Sequence, residues 1–486
     1  MTRDVPSRSL IATRGSLFPS DITIKHWQLR DLIVPYDAAA YDQVLYPSHA
    51  TVQRLDIATG AKDPLLKLDF EPRCLASLGP IVAAGGVNDD SLAAESGSSS
   101  SSAHRGVLAI ANTRTGDTLT GPQYVGEYIN NSITLYNDCR QAMICNNDHG
   151  IHLLDIGPAS YQRVDRIAFP TSLNHATILT SSNTSAAPAS SQPMVPSTQG
   201  ETIVAVGDSP DIFICNPGRD GWQISHTVKT SSDCGFSTAV HPSGLMFAVA
   251  SQNGVARLYD IRKLHNYAQG SQPLVEIQTT RPNTMVGAFR CLKFSPGAVD
   301  LMFVSEHNER VHILDIRDFD NHQILRWNGP DATTAMSSTS DMTNSAPPSS
   351  SSFSSSSPLT SPSLTLASST SSSNSHETFH MEGVISGYDD YRTSMFNDRA
   401  HLSHWSGTSS HTMHLPHSQL HQPLFSTAYR SGSSYYMYGA NNGTDINGIC
   451  WSDLNGGSLI VGCDKGIGVW DINANARKIC EKYDMR

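Results

Sequence analysis

The feature that most constrains this chain is a strand–turn–strand unit that recurs along it. In its clearest copy, Met246-Phe247-Ala248-Val249-Ala250 is a short apolar run and Ser251-Gln252-Asn253-Gly254 a polar turn. Val255-Ala256-Arg257-Leu258-Tyr259-Asp260 then alternates and closes on an acid. Thr238-Ala239-Val240 ahead of it, with the turn His241-Pro242-Ser243-Gly244, and Leu274-Val275-Glu276-Ile277 behind it complete four short strands. Four such strands separated by Gly, Pro, Asn and Ser turns form a single twisted sheet rather than a domain.

The unit returns at Leu301–Asp315, Ala142–Asp155 and Ser458–Asp471, the last ending in the dipeptide Trp470-Asp471. Weaker copies end at Asp56, Asn112 and Asn216. The landmarks therefore fall at 56, 112, 155, 216, 260, 315 and 471. The intervals 112–155 and 216–260 match the ~40–45-residue period of WD repeats. The intervals 56–112, 155–216 and 315–471 shrink to about one period once low-complexity stretches near residues 88–105, 181–200 and 329–442 are removed. One small sheet cannot bury both of its faces, whereas a closed ring of sheets can. The expected fold is an all-β WD-repeat β-propeller of seven blades with low-complexity insertions. Its expected organisation is a tail over 1–20, blades one to six over 21–328, a disordered Ser/His-rich insertion over 329–442 and the last blade over 443–486. Trp27 to Val34 is expected to supply the first strand of blade one, and the last blade to run to Cys480.

Composition agrees with a ring carrying loose insertions. Hydrophobic residues make up 38% of the 486, below the ~45–50% of an ordinary domain. The formal net charge of −11 argues against direct nucleic-acid binding, which needs clustered Lys and Arg. No apolar run approaches the ~18 residues of a membrane span, and the first twenty residues lack the continuous apolar core of a secretion signal. The nine cysteines contain no C-x-x-C pair, so buried thiols in a reducing compartment are expected. Cytoplasm, nucleus or both is the expected location.

A more specific resemblance rests on residues 289–320. Cys291-Leu292-Lys293-Phe294-Ser295-Pro296-Gly297, Asp300-Leu301-Met302, Glu306-His307 and Asp315-Ile316-Arg317-Asp318-Phe319 resemble a short domain of unknown function found in fungal WD-repeat proteins. That domain has an Asp-Leu-Leu signature, here Asp300-Leu301-Met302, with a conservative change at its third position. A distant relative of that group is a substrate receptor of a GID/CTLH-type ubiquitin ligase that recognises protein N-termini. The resemblance thus implies a scaffold or substrate-recognition role, with other proteins, ligase subunits and peptide N-termini as partners. The alternative is a nuclear or chromatin-associated adaptor without a ligase role.

No P-loop, dinucleotide fingerprint, nucleophile elbow or H-E-x-x-H motif is present, so neither catalysis nor a cofactor is expected. His401, His404, His411, His414, His417 and His421 cluster in one polar stretch, read as a loose segment rather than a metal site. Ser357 and Ser361 each precede a proline and are phosphorylation candidates.

A partner-binding rim can be read from the repeat itself. In a propeller the turns between second and third strands open on one face around the central axis. They carry Asp148, His149, Asp208, Gln252, Asn253, Glu306, His307, Asp464 and Lys465. Two expectations follow for the carboxylates. Each could cap its own turn by accepting backbone N–H bonds, or together they could present an acidic pocket to a basic side chain or a free N-terminal amine.

Overall fold

The computed structural model describes residues 9–36 except 27, 42–88, 105–180, 201–264 except 231, 272–326 except 283, 379–387 except 383, and 443–473 except 454–456. Strand β1 (Arg14–Phe18) precedes the first blade, which is β2 (Val34–Pro35), β3 (Gln43–Ser48), β4 (Thr51–Asp56) and β5 (Lys62–Lys67). Blade two is β6 (Cys74–Leu78), β7 (Ile81–Val87), β8 (Gly106–Asn112) and β9 (Asp117–Thr118). Blade three is β10 (Asn130–Tyr136), β11 (Gln141–Asn146), β12 (Gly150–Ile156) and β13 (Tyr161–Ala168). Blade four is β14 (Leu173–Thr180), β15 (Glu201–Gly207), β16 (Ser209–Gly218) and β17 (Gly221–Val228). Blade five is β18 (Gly235–Val240), β19 (Met246–Ser251), β20 (Val255–Asp260) and β21 (Val275–Gln278).

Blade six is β22 (Phe289–Phe294), β23 (Leu301–Glu306), β24 (Arg310–Asp315) and β25 (Asp318–Arg326). Strands β26 (Phe379–Glu382) and β27 (Val384–Gly387) follow, and β28 (Ile446–Ser452), β29 (Ser458–Cys463) and β30 (Gly466–Asp471) begin blade seven. All neighbours within each sheet are antiparallel, and the first strands of adjacent blades touch in a cycle from β2 round to β28 and back. The chain is an all-β, seven-bladed β-propeller, and all seven predicted landmarks lie in third strands.

Packing explains why the repeat was legible. Seven apolar clusters occupy the seven seams between blades. In β23, Leu301 and Phe303 face the seam with blade seven, while Met302 and Val304 face the seam with blade five. In β19, Phe247 and Val249 face blade four, and Ala248 and Ala250 face blade six. A strand buried on both faces must be apolar at every position, which produces the short continuous runs seen in the sequence.

The ends of the ring differ from the sequence expectation. Blade seven takes its fourth strand from β1, with Ser16 opposite Val469 and Phe18 opposite Ile467. Residues 14–18 thus belong to the propeller rather than to a tail. The expected extension of the last blade to Cys480 lies outside the described residues. Of the expected first strand only Val34 pairs as a strand, together with Pro35 beyond it, because Gln28, Arg30 and Asp31 bond to other blades.

Within the segment read as a disordered insertion, β26 pairs with β1 and β27 with β25. These two short strands cover the outer edges of blades seven and six, where open backbone would otherwise template aggregation. Their weak apolar patterns were swamped by the serine-rich sequence around them. The six clustered histidines, Ser357 and Ser361 lie outside the described residues.

Candidate protein-recognition face

Five inner strands open with a β-bulge, in which one residue has no partner on the second strand. The extra residues are Asn131, Asn174, Phe236, Arg290 and Asn447. A bulge re-aims its side chain, and here several reach the next blade. Asn131 Nδ2 donates to the Leu173 carbonyl at 2.7 Å and Asn174 Nδ2 to that of Gly235 at 2.9 Å. The Arg290 guanidinium lies 4.5 Å from the Phe236 ring centroid. These residues line the end of the central axis that the second-to-third turns also surround.

Residues 22–26 and 28–33 cross this mouth and touch all seven blades. Thr23 N–H donates to Pro47 O, Arg73 to Lys25 O, and Leu29 packs on Val87 and Ile129. Gln28 bonds Gln252 at 3.1 Å, and Leu32 N–H donates to Asn447 O at 3.0 Å. Arg30, 4% exposed, lies 3.5 Å from Asp445. Asp31 accepts from Lys293 Nζ at 2.7 Å and sits 3.6 Å from His175 Nε2. Burial alone would raise the Asp31 carboxyl, but Lys293 and His175 outweigh it and hold it well below the carboxylate range. The same carboxylate, against the burial that would lower it, pushes the Lys293 ammonium up.

Breaking this pair strands one charge inside the ring. Asp31→Asn is expected to cost about 2 kcal/mol, and the double change Asp31→Asn with Lys293→Met to restore most of it. Urea unfolding of the four members of the cycle checks this.

The rim residues expected from the sequence all fall at second-to-third turns, with different surroundings. Asp148 is largely enclosed. Its Oδ2 lies 2.8 Å from His152 Nε2, and Arg166 stands 3.5 Å from Oδ1. Burial would raise this carboxyl, but the His152 bond and the nearby charges hold it below its ordinary value. Glu306 is 0% exposed and lies 3.0 Å from His312 Nε2 and 2.6 Å from Arg281. It also accepts from the hydroxyls of Thr279 and Thr280. His312 and Arg281 overcome its burial and hold the carboxyl at about 2. His307 lies 4.0 Å from Asp445, and Asn253 Oδ1 accepts from Ser232 at 3.1 Å.

Asp208, Asp464, Lys465 and His149 remain exposed. The protein around Asp208 pushes its carboxyl up, Asn174 and His149 oppose that, and Asp233 adds to it. Asp464 is pushed up in the same way, by its surroundings and then by Asp445. The rim therefore keeps Asp208 with Asp233 near it and Asp464 near Asp445, the last already held by Arg30 and Asn308, while Asp148 and Glu306 are used internally. The sequence reading missed the plug. Its signal was the run Gln28, Arg30 and Asp31, too polar for an innermost strand.

The geometry defines a seven-bladed propeller with one mouth plugged by its own N-terminal segment. The comparisons narrow its relatives. The model of an uncharacterised protein domain family, DUF2415, matches residues 287–326, which are blade six. There Asp300 takes the left-handed conformation at φ 52° and pairs with Arg317 at 2.5 Å and with His241 of blade five at 3.2 Å. Its short acid-led signature thus ties two blades together. An uncharacterised protein of Saccharomyces cerevisiae is 25% identical over 423 residues, 64% of this chain and 54% of the relative. An uncharacterised protein of Schizosaccharomyces pombe is 30% identical over 182 residues, 36% of this chain and 45% of the relative. The chain spans about half the length of the curated relatives it matches.

Proposed function

We propose that the chain is a protein-recognition propeller that binds through its mouth face and performs no catalysis. The observation that supports this best is the arrangement of two exposed acids, Asp208 and Asp464, each with a second acid nearby. Asp208 and Asp233 stand at blades four and five, and Asp445 and Asp464 at blade seven, with the plugged mouth between them. A carboxylate raised by its surroundings and by a nearby acid gains from a cation placed beside it. The matching ligand is a basic side chain or a free N-terminal amine on a partner protein. In the finer reading, taken from the resemblance alone, the chain is the substrate receptor of a ubiquitin ligase.

Asp208→Asn with Asp464→Asn is expected to weaken capture of such partners about tenfold while leaving the melting temperature within a few degrees. Affinity purification with mass spectrometry, from cells carrying either form, measures this. Recovery of ligase subunits supports the finer reading. Unchanged capture by the folded variant overturns the role of these acids.

A further inference from the structure

On the face opposite the mouth, between blades three and four, lies a groove of about 420 Å³. Its apolar wall is Leu153, Val164 and Trp222, and its acids are Asp165, Glu201 and Asp220. Val164 is 48% exposed. It is the extra residue of a β-bulge that shifts the β12–β13 register between Leu153 and Leu154, which turns an apolar side chain outward. The phenol of Tyr136, 7% exposed, lines the groove and has no hydrogen-bond partner among the described residues. The acids form no ion pair among the described residues, and no Lys or Arg lines the groove. Burial pushes the Glu201 carboxyl up.

We propose that this groove binds a lysine or arginine side chain of a partner protein. The apolar wall suits the methylene stem, the Trp222 and Tyr136 rings suit a cation above an aromatic face, and the three carboxylates suit the charged head. A neutral apolar segment would leave three carboxylates desolvated beside it, and an acidic one would be repelled. The site is separate from the mouth and does not depend on the acids there.

Calorimetry of the full chain with a doubly capped leucine–arginine–leucine tripeptide tests it, because capping removes the terminal amine that the mouth would take. Binding is expected to weaken with salt and to fall at least tenfold when citrulline replaces arginine. It should fall as far in Glu201→Gln with Asp220→Asn, and persist in Asp208→Asn with Asp464→Asn. Trp222→Leu gives a second reading with the charges intact, and should weaken the arginine peptide more than the citrulline one. Absence of binding, equal binding of the citrulline peptide, or unchanged binding by the folded Glu201→Gln, Asp220→Asn chain overturns the proposal.

Discussion

Removal of residues 1–20 is expected to abolish cooperative folding. Strand β1 is the fourth strand of blade seven; Leu10, Ile11 and Leu17 fill the seam with blade six, and Phe18 the seam with blade one where the ring closes. Leu10, Ile11, Leu17 and Phe18 are each no more than 5% exposed. Burying four such side chains contributes roughly 6–12 kcal/mol, comparable with the ~5–15 kcal/mol that holds a whole domain folded. Backbone bonds are lost as well, including Ala12 N–H to Asp471 O and Asn473 N–H to Leu10 O. Trp470, 0% exposed, would be uncovered, as would the edges of β30 and β26. The shortened chain should bind a hydrophobic dye, aggregate and show no sharp thermal transition. A peptide spanning residues 9–20 added in trans should restore part of that transition. A shortened chain that melts within a few degrees of the full one would refute this account of closure.

The blade repeat was readable because its determinants are local. Each third strand carries an Asp or Asn at its end or within two residues of it, and several of these cap the turn that follows. Asp56 accepts from Thr59 N–H, Asn112 from Arg114 N–H, Asp260 from Arg262 N–H and Asp315 from Arg317 N–H. Such short bonds need only residues two or three apart, so they leave a mark in the sequence. The closing strand leaves none and the plug only its polar run, because their partners are distant. Leu10 N–H donates to Gln323 Oε1, and Asp31 meets Lys293.

The rim was legible in position and not in role. Asp148 and Glu306 resemble turn caps, yet each is held by a histidine of the following strand, His152 and His312. A histidine inside an otherwise apolar third strand, after an acidic turn, was the available signal. The groove between blades three and four was hidden because its acids come from β13, β15 and the turn before β17.

Acid should unfold the protein well before its carboxylates titrate. Burial, then Arg73, Arg30 and Arg290, lower His26 to about 3. Burial, then Arg30, Arg290 and Arg281, lower His307 to about 2. Burial and His312 lower His322 to about 2. In the unfolded chain each takes up a proton near ~6.5. The unfolded state therefore binds more protons below that value, and the stability these groups supply is full above pH 6.5 and lost as pH falls toward 3. Each histidine contributes a slope of up to about 1.4 kcal/mol per pH unit, so three give at most about 4. Between pH 8 and 5 the loss approaches ~6 kcal/mol, a large share of a typical domain's stability. Below about pH 4.5, protonation of Glu306, held at about 2 when folded, adds a loss of the same sign. Urea unfolding at fixed ionic strength from pH 8 to 5 should show a plateau and then a steep fall. His322→Gln should reduce the slope by about one third, since one of the three proton-linked groups is gone. Stability that stays level from pH 7 to 5 would show that these histidines are charged inside the folded ring.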